Sequence, residues 1–460
     1  MKMALPDLFL TDAEIVSEEG ILHGGVLIDQ GKVVEVVSGA EQRAARHVID
    51  VGGRHLLPGV VDGHVHFNQP GREHWEGYRC GSMAAAAGGV TTTLEMPLNA
   101  TPPTISVANL DLKRRAIVDE PLVDYALWGG LVDDNLEDMA GLHHEGVIGF
   151  KAFLSDSGVD FARIDDDLLY AGLLKARELG TLIGVHAENE YVCRHLRREM
   201  RAGGRTDRAS WCAARPPAEE LEAIQRACYW AGVTGGRLHI VHVSIPQGVR
   251  AAATAKRNGV AVTVETCPHY LLFDEQDFER LGPVAKCAPP IRSRAFVEEL
   301  WGCVASGLVD TIGSDHSPCP LEDKAAGIDD IWLAWGGITG IQTMLPAMLS
   351  EGVNRRGLPL PLLVKLMSAN PARIFGLYPR KGRIAAGADG DLVIINLEKE
   401  WTLAAEGLFS RHRHSPYVGC TFKGAVERTL VRGVTVYQDD QVTGTPGFGQ
   451  LIRRSASPVA

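Results

Sequence analysis

The stretch Pro58-Gly59-Val60-Val61-Asp62-Gly63-His64-Val65-His66 decides the fold prediction, because a short apolar run ends there in two histidines two residues apart. Side chains alternate across a strand, so both imidazoles are expected on one face. At the carboxyl end of a parallel barrel strand, that face points into the mouth where active sites lie. A lone histidine would more often be a packed core residue, but this pair favours metal binding.

The chain beyond this stretch alternates short β-rich runs with helical patterns such as Asp165–Leu179, Pro217–Ala231 and Ser293–Gly307, the last with Ser293 as its expected cap. Eight such runs over about 260 residues predict a closed (β/α)8 barrel, an α/β fold of the TIM type. The predicted strands are Val60–His66, Val90–Glu95, Val123–Val132, Val147–Phe153, Thr181–His186, Arg237–Val243, Val260–Glu265 and Val309–Asp315.

Both flanks of the barrel are rich in Val, Ile, Thr and Gly, and their turn signals predict short strands. We therefore expect residues 1–57 and 381–460 to combine into one small β-sandwich around a barrel domain at 58–380. The tail after about Pro446 is expected to be disordered or loosely docked.

The composition excludes several classes of function. The chain has 46 Lys and Arg against 57 Asp and Glu, a net charge of −11, which argues against nucleic-acid or anionic-membrane partners. No apolar run is long enough to predict a membrane span. Nine scattered cysteines without a C-x-x-C pair predict reduced thiols in a cytoplasmic protein.

Three further side chains at predicted strand ends suit a metal site: His186, His242 and Asp315. Strand alternation places His242 with Ile240 and puts His239 on the opposite face, so His239 is interpreted as structural. With His64 and His66, these residues form a donor set typical of zinc or a similar divalent ion. His316, next along the chain, either points the other way or supports the site from the loop.

Lys151 ends the fourth predicted strand, where an unpaired ammonium would be expensive to bury. One interpretation is a salt bridge across the barrel mouth. The other is chemical: burial lowers a lysine pKa, and the neutral amine then adds CO2 to give a carbamate that bridges two cations. Two bridged metals would polarise a carbonyl and supply hydroxide, while Asp315 moves the proton to the leaving nitrogen.

These residues, in this order, resemble the amidohydrolase superfamily, and within it the cyclic amidohydrolases: dihydroorotases, hydantoinases and allantoinases. The resemblance covers nearly the whole chain, including Lys381-Gly382-Arg383-Ile384 to Asp391-Leu392-Val393. It implies a barrel with a β-sandwich, two metal ions bridged by N6-carboxylated Lys151, and a homotetramer. Zinc is the expected metal, with cobalt, manganese and iron as alternatives.

The loops indicate the substrate. Dihydroorotases typically have an arginine where this chain has Asn68, and hydantoinases a tyrosine where it has Asp156. The segments that instead resemble allantoinases are Lys151–Gly158, Trp75-Glu76-Gly77, Glu95–Asn99, Lys286–Arg292, Ser314–Cys319 and Trp335–Ile338. Gln69 and Ala288 depart from that pattern, which usually has an acidic residue and a serine there.

The resemblance therefore implies hydrolysis of the hydantoin ring of allantoin to allantoate, a step of purine-ureide breakdown. A neutral ureide suits a pocket lined by amides and hydroxyls rather than arginine. The candidates for that lining are Asn68, Asn99, Cys287, Ser317, Gly336 and Gly337, and each has a turn or capping role as its alternative. Hydantoinase and dihydroorotase activities remain alternatives, as does a metal-free binding protein, which the six filled ligand positions argue against.

Overall fold

Eight parallel strands form the centre of the protein in a computed structural model that describes residues 5–454. The strands in chain order are β1 (Leu8–Ser17), β2 (Gly20–Asp29), β3 (Lys32–Ser38), β4 (His47–Asp50), β5 (His55–Pro58), β6 (Val60–Val65), β7 (Val90–Glu95), β8 (Asp124–Leu127), β9 (Gly129–Gly130), β10 (Phe150–Phe153), β11 (Leu182–His186), β12 (Arg237–Ile240), β13 (Val262–Thr266), β14 (Thr311–Ile312), β15 (Leu392–Thr402), β16 (Thr421–Val431), β17 (Val434–Gln438) and β18 (Gln441–Val442).

Helices follow the barrel strands and cover their outer faces. They are α1 (Tyr78–Ala87), α2 (Val107–Ile117), α3 (Asp138–His144), α4 (Asp166–Leu179), α5 (Glu190–Ala202), α6 (Arg208–Ala213), α7 (Pro217–Thr234), α8 (Pro246–Arg257), α9 (Pro268–Leu272), α10 (Glu275–Leu281), α11 (Arg294–Ala305), α12 (Leu321–Ala325), α13 (Met344–Ala347), α14 (Leu360–Val364) and α15 (Asn370–Ile374). Ser293 precedes α11 as predicted, but its side chain makes no capping hydrogen bond. Among residues 5–454, no helix combines the length and the apolar character that a membrane crossing requires.

The barrel closes through parallel pairing of neighbouring strands. β6, β7 and β8 form one run and β9 to β14 another, with β8 and β9 acting as one strand interrupted at Trp128. A bridge between Val65 and His316 joins the end of the barrel to its beginning. The predicted (β/α)8 fold is therefore confirmed, although most strands are shorter than the apolar runs that predicted them.

Trp128 forms the floor beneath the mouth of the barrel. Its side chain is fully buried, donates from Nε1 to the carbonyl of Gly63 at 3.2 Å, and meets Phe375 edge to face. A side-chain carbon at Gly149 or Gly184 would come within 2.9 Å of the indole. Glycine at these two positions therefore makes room for a large aromatic ring inside the barrel.

The two ends of the chain build a second sheet beside the barrel. Its nine strands are mostly antiparallel, in the order β18-β17-β16-β15-β5-β1-β2-β3, with β4 pairing along β1. This agrees with the predicted β-sandwich made from both termini. The domain boundaries at 57/58 and 380/381 stay a prediction.

A buried ion cluster lies where this sheet meets the barrel. Lys381 Nζ donates to Asp124 of β8 at 2.5 Å and to Asp391 at 2.6 Å, and it lies 2.9 Å from Asp389. Lys381 is only 1% exposed. Lys381 thus helps to compensate three buried carboxylates, together with Arg432 at Asp124 and with Lys32 and Arg380 at Asp389.

The segment after Pro446 corrects a prediction. The backbone N–H groups of Gly447 and Gly449 donate to the carbonyl of Pro121, and Gln450 and Ile452 exchange hydrogen bonds with Tyr125. As far as residue 454 this segment is therefore docked on the barrel rather than loose. The composition of this segment could not predict the contact with Pro121 and Tyr125, because these hydrogen bonds join backbone groups and do not depend on side chains. The rest of the predicted loose tail, residues 455–460, lies outside the described residues.

Candidate metal centre

The first histidine pair lies as strand alternation predicts. His64 and His66 leave the end of β6 on one side, and their Nε2 atoms lie 3.3 Å and 3.4 Å from Oδ1 of Asp315. Both rings are buried. Burial lowers the pKa of His64 to about 4, against the attraction of Asp315, so its imidazole is neutral and able to bind a metal.

Lys151 projects from β10 into the same space. The side chain is fully buried, and Nζ has no hydrogen-bond partner among residues 5–454. The ammonium lies 4.9 Å from the centre of the Phe153 ring. Burial lowers the pKa of Lys151 to about 8, although Asp315 and Glu265 favour its charged form. The amine is therefore far more easily deprotonated than that of an exposed lysine.

His186 and His242 face each other across the mouth. His186 Nδ1 lies 3.0 Å from His242 Nε2, and burial lowers the pKa of both rings. The prediction that strand alternation directs His242 to the mouth was wrong, however. Strand β12 ends at Ile240. His239 points into the barrel interior towards Glu265, and Val241 points into it among the apolar residues that pack around Trp128.

His242 reaches the mouth because its backbone turns. Its φ is +39°, in the left-handed region that non-glycine residues rarely adopt. Asp315 has φ +45° just beyond β14 and turns inward in the same way. Backbone strain of this kind clusters at functional sites, where the surrounding structure holds it. Regular alternation cannot predict such side-chain directions.

The ligand atoms of His64, His242 and Asp315 all lie within 4.8 Å of one another, and His66 and His186 contact members of this group. Burial would raise the pKa of Asp315, but the electrostatic interaction with His64 and the hydrogen bond from His66 bring it well below the usual range. His66 Nδ1, His242 Nδ1 and Lys151 Nζ are buried without a partner among the described residues. Neutral imidazoles, a carboxylate and orphaned nitrogens fit divalent metal ions.

Two buried glutamates that the sequence reasoning missed orient these histidines. Glu265 of β13 accepts from His64 Nδ1 at 2.9 Å and from the backbone N–H of His242 at 3.3 Å. Glu188 contacts His186 Nε2 at 2.7 Å and also pairs with Arg215. Such partners fix ring orientation and tautomer in metal sites. The available signal was an acidic residue within an apolar strand, Val262-Thr263-Val264-Glu265.

His316 faces away from the centre. Its Nδ1 accepts from the backbone of Gly340 at 3.1 Å, and Nε2 lies 3.5 Å from Glu76. Its backbone carbonyl nevertheless accepts from the N–H of His66 at 2.8 Å. His316 thus supports the histidine pair through its backbone carbonyl, while its ring accepts a hydrogen bond from the loop at Gly340.

A cavity of about 70 Å³ lies over these groups. Of the residues predicted to line it, Asn99, Ser317 and Gly336 do so. Asn68, Cys287 and Gly337 lie behind its wall: Asn68 Nδ2 donates to the carbonyl of Pro318, and the carbonyl of Cys287 accepts from Trp211. The structure therefore brings together all six predicted metal ligands but only part of the predicted substrate lining.

A larger cavity of about 460 Å³, called the vestibule below, adjoins the first. The two share five lining residues: Asp156, Ser157, Ala288, Trp335 and Gly336. Trp75 packs against Trp335 with ring centres 4.6 Å apart. A ligand seated at the metal cavity can therefore extend outward between aromatic and polar walls.

Comparison with known proteins agrees with this geometry. Residues 55–436 match the amidohydrolase family. The chain is 44% identical to an allantoinase of Deinococcus radiodurans, with 97% of this chain and 98% of the relative covered, and 46% identical to one of Rubrobacter xylanophilus, with 94% and 97% covered. An L-hydantoinase (dihydropyrimidinase) from Arthrobacter aurescens superposes with a TM-score of 0.96 at 38% identity, covering 98% of this chain and all of that one. The chain belongs to the amidohydrolase family, in the cyclic amidohydrolase group of allantoinases and hydantoinases.

Proposed function

We propose that this protein is an allantoinase, which hydrolyses the hydantoin ring of allantoin to allantoate in the breakdown of purine ureides. The observation that carries the proposal is the convergence of four histidines, Lys151 and Asp315 at one barrel mouth. The names of the relatives at 40–46% identity favour allantoin among the cyclic amides.

The proposed cofactor is a pair of divalent metal ions, zinc first, held by His64, His66, His186, His242, Asp315 and an N6-carboxylated Lys151. When bound, such a pair supplies Lewis acidity towards the ring carbonyl and lowers the pKa of water. The low pKa of Lys151 supports carboxylation, because only the free amine adds CO2.

The chain's own residues then position the reactants and move the proton. Asp315 is ionised, since His64 and His66 keep its pKa low, so it accepts the proton of the attacking water. It releases that proton to the ring nitrogen as the C–N bond breaks. Glu265 and Glu188 accept the N–H of His64 Nδ1 and of His186 Nε2, which leaves the other nitrogen of each ring free to bind a metal.

The substrate lining is proposed in two parts. Asn99, Ser317 and the Gly336 backbone offer hydrogen bonds to the ring inside the smaller cavity. Asn68, Cys287 and Gly337 support that wall, since Asn68 donates to Pro318 and Gly337 N–H to Lys286. No arginine lines the smaller cavity among the described residues, which favours a neutral ring over a carboxylated one.

Hydantoinase activity is the second candidate, because a solved hydantoinase superposes closely on this chain. Incubating the metal-loaded protein with allantoin, dihydroorotate and 5-benzylhydantoin discriminates the possibilities. We expect allantoin to have the highest kcat/KM. Fastest turnover of dihydroorotate would contradict the interpretation of Asn68, and fastest turnover of 5-benzylhydantoin would make the protein a hydantoinase.

The proposal also includes a cytoplasmic location and assembly into a homotetramer. All nine cysteines are free, as a reducing compartment allows. Tyr229 and Val233 of α7 are 64% and 54% exposed, and apolar side chains of this kind suit contact with another subunit. Light scattering after size exclusion tests the assembly, and a monomeric mass would contradict it.

A further inference from the structure

The vestibule is unusually rich in cations for the entrance to a neutral substrate's site. Four basic side chains line it, namely Arg72, Arg197, Arg215 and Lys286. Two of them are neutralised, since Arg215 pairs with Glu188 and Arg197 lies 3.7 Å from Asp156. Arg72 and Lys286 have no carboxylate within 4.0 Å among residues 5–454, and Asp323 is the acidic residue that remains on the wall.

Arg72 is only partly engaged. Nη1 donates to the carbonyl of Asn99 at 3.3 Å, and the guanidinium lies 5.2 Å from the centre of the Trp75 ring. A guanidinium has five N–H donors in a planar fork that matches a carboxylate. Most N–H donors of Arg72 are therefore free, and Arg72 lines the vestibule into which the smaller cavity opens.

Lys286 lies behind the same wall, where it is buried. Its Nζ donates to the carbonyls of Ile331 at 2.8 Å and Ala334 at 2.6 Å and lies 4.1 Å from the centre of the Trp211 ring. Burial first, then repulsion from Lys324 and Arg215, lowers the pKa of Lys286 to about 7. An anion in the vestibule would relieve that repulsion.

We propose that the vestibule binds a carboxylate at the end of a substrate's exocyclic arm, so that hydantoins with a carboxyalkyl arm form a second substrate class. The inference rests on the proposed ring hydrolysis. Because the smaller cavity opens into the vestibule along the lining that they share, an arm on the ring can extend past Trp335 towards Arg72. The chemistry is unchanged: water adds to the ring carbonyl, the C–N bond breaks, the nitrogen takes a proton, and the arm carboxylate does not react.

The test compares 5-(2-carboxyethyl)hydantoin with its carbamoyl analogue, which has the same shape without the charge. We expect kcat/KM for the acid to exceed that for the amide about fivefold at low salt, the order of a partly exposed ion pair, and the ratio to fall as salt is added. Arg72→Gln should bring the ratio close to one, and Arg72→Lys should keep part of it. Arg79→Gln, an exposed arginine outside the vestibule, should keep the full ratio.

An acid-to-amide ratio of one or less in the wild type, with allantoin still hydrolysed, would overturn this inference alone. Failure to hydrolyse allantoin and both hydantoins would remove the proposed function and this inference with it. A ratio that Arg72→Gln leaves unchanged would refute the role of Arg72. If that variant does not fold, a wild-type ratio insensitive to salt refutes the ion pair.

Discussion

Replacing Glu265 by glutamine tests how the centre holds its first histidine. Glu265 is 1% exposed, and its Oε1 accepts from His64 Nδ1 at 2.9 Å and from the backbone of His242 at 3.3 Å. Burial would raise the pKa of Glu265, but His239, 3.7 Å away, and the hydrogen bond with His64 lower it to about 2. The carboxylate is therefore ionised, and Glu265→Gln removes a full charge while keeping the side chain's shape.

The expected loss follows from this geometry. Outer partners of metal-binding histidines contribute about 10–100-fold to metal affinity, which corresponds to about 1.4–2.7 kcal/mol. We expect the upper half of that range, because one carboxylate orients His64 and anchors the backbone of His242. Equilibrium dialysis against graded chelator, with metal content read by mass spectrometry, measures the shift without depending on turnover.

Two controls make the result interpretable. Glu299→Gln removes a carboxylate whose side chain is 49% exposed, and it should match the wild type. Glu265→Asp keeps the charge but shortens its reach, and it should fall between wild type and Glu265→Gln. A metal affinity for Glu265→Gln within about twofold of wild type would refute the idea that this carboxylate orients the metal-binding histidines.

Other changes probe the bridge, the barrel floor and the junction. Lys151→Ala should lose metal and allantoin turnover and regain part of both with short-chain carboxylic acids; full activity without them would exclude the bridging role. Trp128→Ala should lower the free energy of unfolding by about 3–5 kcal/mol, because it leaves a cavity where a large buried side chain was. Urea titration measures this loss, and a value below about 1 kcal/mol would contradict the tight packing of Trp128. Lys381→Met should cost about 3–5 kcal/mol by leaving the buried Asp391 without a cation, whereas Asp124 keeps Arg432 and Asp389 keeps Lys32 and Arg380. Lys399→Met removes a half-exposed lysine 3.9 Å from Asp440 and should cost little; equal effects would contradict the cluster's role.

The barrel and the side chains that meet at its mouth were largely predictable because both depend on local patterns. The apolar run before His64 and His66 predicts a buried parallel strand, and a period of two places both rings together. Lys151 was identified because burying an unpaired ammonium inside an apolar strand costs free energy that a function must explain. Both predictions hold although the strands are shorter than expected.

The remaining features depend on contacts distant in sequence or on irregular backbone. His242 was identified through an alternation that ends two residues before it, and its positive φ is invisible in the sequence. Glu265 acts on a histidine 201 residues away, so no local pattern connects them. Asn68 was expected beside the substrate, but its φ of +66° and its bond to Pro318 direct it behind the cavity wall.

We propose that this barrel mouth is a two-metal centre, and metal analysis tests that proposal most directly. The wild-type chain should be expressed with zinc and bicarbonate, dialysed, and analysed by mass spectrometry for metal equivalents per chain, with allantoin turnover measured on the same sample. We predict two equivalents of metal per chain, and we expect activity to fall in proportion as a chelator removes them. Well under one equivalent per chain would contradict it and favour a metal-free binding protein built on the same fold.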